Sequence, residues 1–233
     1  MEIYYKKLEN LDYSIRRYFI DEFFGRHISH LAKEMRIIDI GGRKVGKHGY
    51  FNAEFYSPKV KFVNLDKTTC PDICCDAVNL PIKDESCDVV FLSEILEHVE
   101  YPGLALKEAH RILKKGGQAF ICSPFMYHMH SDPIDFARYT DYWFENKLRK
   151  IGFHEIHIEK QGLYYSVIAL MFKKWIETRA NKTVAFRLLR RILLYPLILW
   201  YQKKAIYWDK LKDNQDDQFI SSCTTGLGII CKK

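Results

Sequence analysis

The chain has 233 residues, of which 48% are apolar and 15% aromatic, with a formal charge of +7. That is enough apolar material for one large domain and excludes a globally disordered chain. The charge is uneven: between Tyr164 and Lys212 eleven Lys/Arg stand against two acids, Glu177 and Asp209, while the remainder is slightly acidic, so a nucleic-acid partner is not expected.

Met1 to Arg17 mixes charges and lacks an apolar run before a small-residue cleavage site, so no signal peptide is expected. Seven cysteines, an odd number without a secretion signal, point to reduced thiols and a cytoplasmic chain. Apolar residues at helical spacing predict a helix over Leu11 to Met35. Arg36-Ile-Ile-Asp-Ile-Gly-Gly42 is a β-branched run stopped by paired glycines, the pattern of a buried strand ending in a tight turn. Lys61 to Asp66, Pro71 to Asp76 and Cys87 to Leu92 read as further strands. Tyr101 to Lys115 reads as a helix closed by Lys114-Lys115-Gly116-Gly117, cations in the last turn and glycine after it. Gln118 to Cys122 is a fifth strand, and Asp141 to Ile151 a helix with Thr140 or Asp141 as cap and Gly152 beyond its end. Phe153 to Ile158 and Gly226 to Cys231 complete seven strands.

Strands alternating with helices predict an α/β fold: a Rossmann-like, doubly wound, seven-stranded, mostly parallel sheet. Ligands of such sheets sit beyond the carboxyl ends of the strands, where Asp39, Gly41, Gly42, Asp66, Asp76 and Ser93 fall. Cys70, Cys74 and Cys75 lie close together but no second pair follows at zinc-site spacing, and Cys122 and Cys231 sit in apolar runs as core residues.

Asp39-Ile-Gly41-Gly42, Asp66, the Asp-Ala-x-x-Leu-Pro run at Asp76 to Pro81, Ser93-Glu-Ile-Leu-Glu97-His98-Val99, and Arg-Ile-Leu-Lys-x-Gly-Gly at Arg111 to Gly117 follow one another in a specific order. Together they resemble class I S-adenosylmethionine-dependent methyltransferases, in the branch with the Leu-Glu-His-Val motif, over roughly Arg36 to Gln161 and again from Gly226. The resemblance implies S-adenosyl-L-methionine as cofactor. Gly41 and Gly42 would let the backbone approach it, Asp39 would anchor its amino-acid end, and Asp66, with Lys67 beside it, would accept from the ribose hydroxyls. Asp76 and Ala77 would meet the adenine, and Ser93 would flank the cofactor. Arg43 stands where a third glycine is usual, which leaves the shape of the loop Arg43 to Pro58 open. A nicotinamide dehydrogenase would need Gly-x-Gly-x-x-Gly running into a helix, and Gly41-Gly42-Arg43-Lys-Val-Gly46 fails that spacing.

After the fifth strand, His128, His130, Asp132, Asp135, Arg138 and Tyr139 fall at the ligand edge. His130, Pro133, Asp135, Arg138 and Thr140 resemble a segment of methyltransferases found among bacterial surface-polysaccharide genes. A hydroxyl acceptor must lose a proton, work that suits a histidine. His130 is the first candidate base, followed by His98; Asp135 would orient a histidine or the substrate, and His128, Arg138 and Tyr139 would bind the substrate. The opposing reading is an Asp135–Arg138 pair that merely holds the loop. No metal is expected.

The organisation expected is a methyltransferase domain over 1–162 and 222–233, with 163–221 as a basic, apolar helical insertion before the last strand. Its longest uncharged run, Ile192 to Tyr201, contains Pro196 and is too short to span a bilayer. Apolar helices with Trp and Lys/Arg at their margins suit peripheral contact with an anionic membrane; a lid or a dimer contact is the rival. The acceptor expected is a sugar hydroxyl of a surface glycan or lipid-linked precursor. The alternatives are a quinone or other small metabolite, or a domain that binds the cofactor without catalysis. The oligomeric state is left open.

Overall fold

A computed structural model describes the chain except residues 1–6, 10–12, 30, 32, 48, 131–133, 180–187 and 189, and gives the backbone alone at 190 and 191. Asp132, Pro133 and the start of the insertion's second apolar run therefore lie outside the described residues.

The elements in chain order are α1 (Ile15–His27), β1 (Ile37–Ile40), β2 (Val60–Asn64), β3 (Ile73–Cys74), β4 (Cys87–Ser93), α2 (Pro102–Ile112), β5 (Leu113–Pro124), α3 (Asp141–Ile151), β6 (His154–Lys160), α4 (Tyr164–Arg179), α5 (Tyr195–Asp209), α6 (Lys212–Asp216), α7 (Gln218–Ser222) and β7 (Gly226–Lys232). The strands form one seven-stranded sheet in the order β3-β2-β1-β4-β5-β7-β6. β1 pairs in parallel with β2 and β4, β2 with β3, and β4 with β5. β7 runs antiparallel to β5: the Gly116 N–H donates to Lys233 O (2.8 Å) near the start of β5, and the Met126 N–H to Thr224 O (3.1 Å) beyond its end. The sheet is thus mostly parallel, Rossmann-like and doubly wound. β4 is apolar almost throughout because a central parallel strand is covered on both faces.

Two elements differ from the sequence expectation. α1 stops at His27; Ile28 and Leu31 keep helical spacing and are buried, but from a turn closed by the Leu31 N–H on Ile28 O (3.0 Å). The second helix ends at Ile112; Leu113 begins β5, and Lys114 to Gly117 form a bulge in that strand with Gly116 at φ +76°. Pairing of Leu113 with Cys87, of Gly116 and Gly117 with Lys233, and of Lys114 Nζ with Asp88 (2.6 Å) outweighs the local helix-end signal of Lys-Lys-Gly-Gly. At α3 the expectation holds: Thr140 Oγ1 accepts from the Trp143 N–H (3.2 Å) and Gly152 ends the helix at φ +115°.

The chain divides into two compact units. One comprises Phe24–Phe125, Met129–Glu159 and Leu227–Lys233. Its core joins Ile38, Ile40, Val90, Leu92 and Ile121 of the sheet to Leu106 and Ile112 of α2, Phe144 and Leu148 of α3, and Cys231. The other comprises Met1–Phe23, Met126–His128 and Lys160–Gly226. There Tyr13, Ile15, Tyr18 and Phe19 pack on Ala169 and Leu170 of α4 and Ala205 and Ile206 of α5. The buried Asp209 at the end of α5 caps α4, its carboxylate accepting from the N–H groups of Leu163 (2.7 Å), Tyr165 (3.1 Å) and Ser166 (3.1 Å).

Candidate functional site

All but one of the expected site residues fall in the sheet unit, at the carboxyl ends of its strands. The strand order reverses between β1 and β4, so a crevice opens at their carboxyl ends. Ile40 pairs with both Val63 and Leu92, which brings the Gly41-Gly42 turn level with the ends of β2 and β4. Gly41 has φ +84°, a conformation that favours glycine, and its N–H donates to Val63 O (2.7 Å). A Cβ on Gly41 would come within 2.7 Å of Ile95 Cδ1, and one on Gly42 within 2.4 Å of Asp39 Cγ. The second glycine thus lets the turn close over the Asp39 carboxyl. Burial pushes that carboxyl up to about 7, with Lys47 opposing the shift.

Asn64, which the sequence reading passed over, ties the site together. Its side-chain amide donates to Gly41 O (3.0 Å) and Gly42 O (3.1 Å), and its Oδ1 accepts from the Asp66 N–H (2.9 Å). A polar amide directly after the buried Phe62-Val63 pair, at the carboxyl end of the strand, was the available signal. Asp66 is exposed and caps the 3-10 turn Lys67–Thr69; its carboxylate accepts from the Thr68 N–H (2.9 Å) and the Thr68 hydroxyl (2.7 and 2.8 Å), which lowers its pKa. Lys67 is exposed in the same turn. Asp76 Oδ1 accepts from the Val78 N–H (3.1 Å) and Ala77 is buried beside it. Glu108 and Arg111 of α2 anchor this run through the Leu80 N–H (2.7 Å) and Leu80 O (2.9 Å). Ser93 is half-buried at the end of β4, and Glu94 after it takes a left-handed φ of +53°, a strained conformation for a residue with a side chain.

The loop after the glycine turn contains one 3-10 turn, Ala53–Phe55, and no helix among its described residues. Lys47 Nζ bonds Asn52 Oδ1 (2.7 Å) and Glu54 (3.0 Å), and Phe51 stacks on Phe24 at 4.0 Å.

On the acceptor side the structure gathers Glu97, His98, His130, Asp135 and Arg138. Glu97 and His98 lie in a 3-10 turn, Leu96–His98, directly after β4. The segment after β5 folds back over that turn: the Phe136 N–H donates to Glu97 O (2.7 Å), and His98 Nδ1 meets Ile134 O at 2.6 Å. The His98 and His130 rings lie edge to face with centroids 5.0 Å apart. Asp135 accepts from the His130 N–H (2.9 Å), lies 3.4 Å from His130 Nδ1 and pairs with both terminal nitrogens of Arg138. That guanidinium holds the Asp135 carboxyl down to about 2. The substrate-binding expectation for Tyr139 is corrected: its ring is buried, stacks on Trp143 (4.2 Å) and points its hydroxyl at Leu96 O (3.5 Å), so it packs the core. His128 falls in the other unit, beside Tyr127 with centroids 4.4 Å apart. Glu97 was legible only as a letter of the Leu-Glu-His-Val run, yet it is fully buried at this cluster.

Residues 48–121 match a family described as a methyltransferase domain. An uncharacterized protein of Methanocaldococcus jannaschii is 30% identical over 112 residues, 44% of this chain and 49% of that protein. A ubiquinone/menaquinone biosynthesis C-methyltransferase of Neisseria gonorrhoeae is 28% identical over 113 residues, 42% of this chain and 46% of that protein. The match thus spans about half the length of these curated relatives. Among solved structures, a SAM-dependent methyltransferase from Archaeoglobus fulgidus aligns over 93% of this chain and 94% of its own with a TM-score of 0.53 at 16% identity. The chain therefore has the fold of S-adenosylmethionine-dependent methyltransferases, built around a methyltransferase domain match that ends in β5.

Proposed function

We propose that the protein transfers a methyl group from S-adenosyl-L-methionine to a hydroxyl oxygen of a sugar-containing acceptor. One observation carries this reading: the glycine turn with Asp39 and the cluster of His98, His130 and Asp135 lie at the same carboxyl edge of one sheet, around its switch point. The residues present fit the cofactor. Its bound form supplies a methyl group on a sulfonium sulfur, already a good leaving group. The Asp39 carboxylate suits the ammonium of its amino-acid end, and the Gly41-Gly42 backbone allows close approach. Thr68 holds the Asp66 carboxylate facing one way, leaving lone pairs for ribose hydroxyls. Asp76 and Ala77 flank the adenine position, with Lys67 and Ser93 at its margins.

On the acceptor side, Asp135 orients His130, and the Ile134 carbonyl beside His98 Nδ1 leaves that ring's lone pair on Nε2. Either imidazole can take the hydroxyl proton, His130 first. Arg138, held by Asp135, lines the same edge. Catalysis beyond this is largely positioning at near-attack distance.

A small-molecule acceptor is the second reading, favoured by the similarity to the quinone-pathway methyltransferase. The exposed apolar residues Leu193, Leu197, Trp200 and Tyr207 support peripheral contact with a membrane, where a lipid-linked acceptor would reside. No helix among the described residues is long and apolar enough to cross one. The test supplies cofactor with a radiolabelled methyl group and separated glycan, lipid, protein, nucleic-acid and metabolite fractions. Base-stable label in glycan or glycolipid supports the sugar reading; label confined to metabolites moves the assignment to the second. No label in any fraction, with cofactor bound, would sink the enzyme reading.

A further inference from the structure

We propose that Glu97, His98 and His130 bind a divalent transition-metal cation. One ligand atom from each lies within 4.8 Å of the other two. Glu97 Oε1 and His98 Nε2 are 3.7 Å apart, close to the roughly 3.4 Å between neighbouring ligands of a tetrahedral ion with bonds near 2.1 Å.

The surroundings of the two imidazoles are those of metal ligands. A ligating histidine commonly gives its other ring N–H to a carbonyl or carboxylate, which fixes the tautomer and aims the free lone pair. His98 has Ile134 O at Nδ1, and a carbonyl can only accept, so the lone pair is on Nε2, the nitrogen that faces Glu97. His130 has the Asp135 carboxylate 3.4 Å from Nδ1, and Asp135 is itself fixed by Arg138. Two imidazoles of independent chain segments thus carry the same kind of outer support. The charge also suits a cation. Arg138 is paired with Asp135, and the negative charge of Glu97 and Glu94 also reaches it, so the local carboxylates outnumber the one guanidinium. Two imidazoles and one carboxylate form a mixed N/O set that suits Mn²⁺, Fe²⁺, Co²⁺ or Zn²⁺ rather than Mg²⁺ or Ca²⁺, and three protein ligands leave positions open.

Cation binding rests on these side chains alone. Its consequence rests on the methyltransferase reading: with a cation bound, His98 and His130 serve as ligands and no longer as the bases, and an acceptor hydroxyl on an open position, its pKa lowered by the ion, would release its proton to solvent water.

The test titrates chelator-treated protein with Mn²⁺ and follows the loss of the free-ion paramagnetic resonance signal. The expected result is one ion per chain, with His98→Asn and His130→Asn each weakening binding at least tenfold. Asp135→Asn should weaken it roughly 10–100-fold, as for other second-layer supports, and the distant His157→Asn should leave it unchanged. Thermal melts guard against misfolding: Mn²⁺ should raise the Tm of the parent protein, but not that of variants whose metal-free Tm equals the parent's. Absence of saturable binding up to millimolar Mn²⁺, Co²⁺ and Zn²⁺ overturns the proposal, as does affinity unchanged in both histidine variants. Calorimetry with S-adenosylmethionine in chelator reads the cofactor separately, so loss of that binding alone would count against the methyltransferase reading and not against the metal site.

Discussion

Asp39 couples the cofactor side to pH. Its folded carboxyl titrates at about 7, against 3.8 for an unperturbed one, so between those values the folded chain holds a proton that the unfolded chain has released. Stability without cofactor should therefore fall as pH rises from about 4 to 7, and the fall should be lost in Asp39→Asn. If Asp39 meets the cofactor's ammonium, binding must expel that proton. Affinity should climb up to about tenfold per unit as pH rises toward 7 and fade again above about 8, where the ammonium itself deprotonates. Calorimetry in two buffers of different ionisation enthalpy would count the proton; equal heats in both would remove Asp39 from that role. Gly41→Ala should destabilise the fold by about 1–3 kcal/mol in urea melts, because the left-handed φ and the 2.7 Å approach to Ile95 both resist a side chain. Asp66→Ala should weaken cofactor binding at least tenfold by calorimetry; unchanged affinity would leave Asp66 as only the cap of its turn.

The elements show which signals a sequence carries openly. β1, β2 and β4 were legible because each is a short, mostly apolar run with a glycine or an acid at or just beyond its end, and β6 by its alternation. The helix expected to reach Lys115 stops at Ile112 because a helix-end signal is local, whereas the partners that draw Leu113 and the two glycines into the sheet, Cys87 and Lys233, are remote in sequence. The same distinction divides the site. Asp39, Gly41 and Gly42 were visible as one motif, but the meeting of His98 with His130 depends on residues 134–136 folding back over the Leu96–His98 turn, which no spacing announces. Asp209 is a further case: counted as one of two acids in a basic stretch, it caps the start of α4 from the end of α5. Asp209→Ala should lower stability by about 1–2 kcal/mol in a thermal or urea melt, and Asp209→Asn by less. An unchanged midpoint would mean the cap contributes nothing.

At the scale of the whole molecule, part of the basic stretch is neutralised within its own unit. Lys203 bonds Glu9 (2.7 Å), Lys210 bonds Glu22 (2.7 Å), and the buried Lys173 donates to Tyr13 O (3.1 Å). The net charge of that segment therefore overstates what it could offer a membrane, and the proposed membrane contact would rest more on apolar insertion. Vesicle flotation should be only moderately weakened by salt and strongly weakened by the paired change Leu197→Glu and Trp200→Glu. Failure of the intact protein to float would discard membrane contact.

Among the described residues no helix follows the glycine turn, and this bears on ligand choice. Dinucleotide sites place a diphosphate at the positive end of a helix dipole, on N–H groups that no side chain screens. Here the described residues between Gly41 and Ser57 offer one 3-10 turn, and the carboxyl of Asp39 stands at the turn itself. An anionic bridge would find no helix dipole among the described residues, whereas a zwitterionic amino acid would bring its own cation to the Asp39 carboxyl and favour its ionised form. The turn is thus better matched to an ammonium than to a diphosphate.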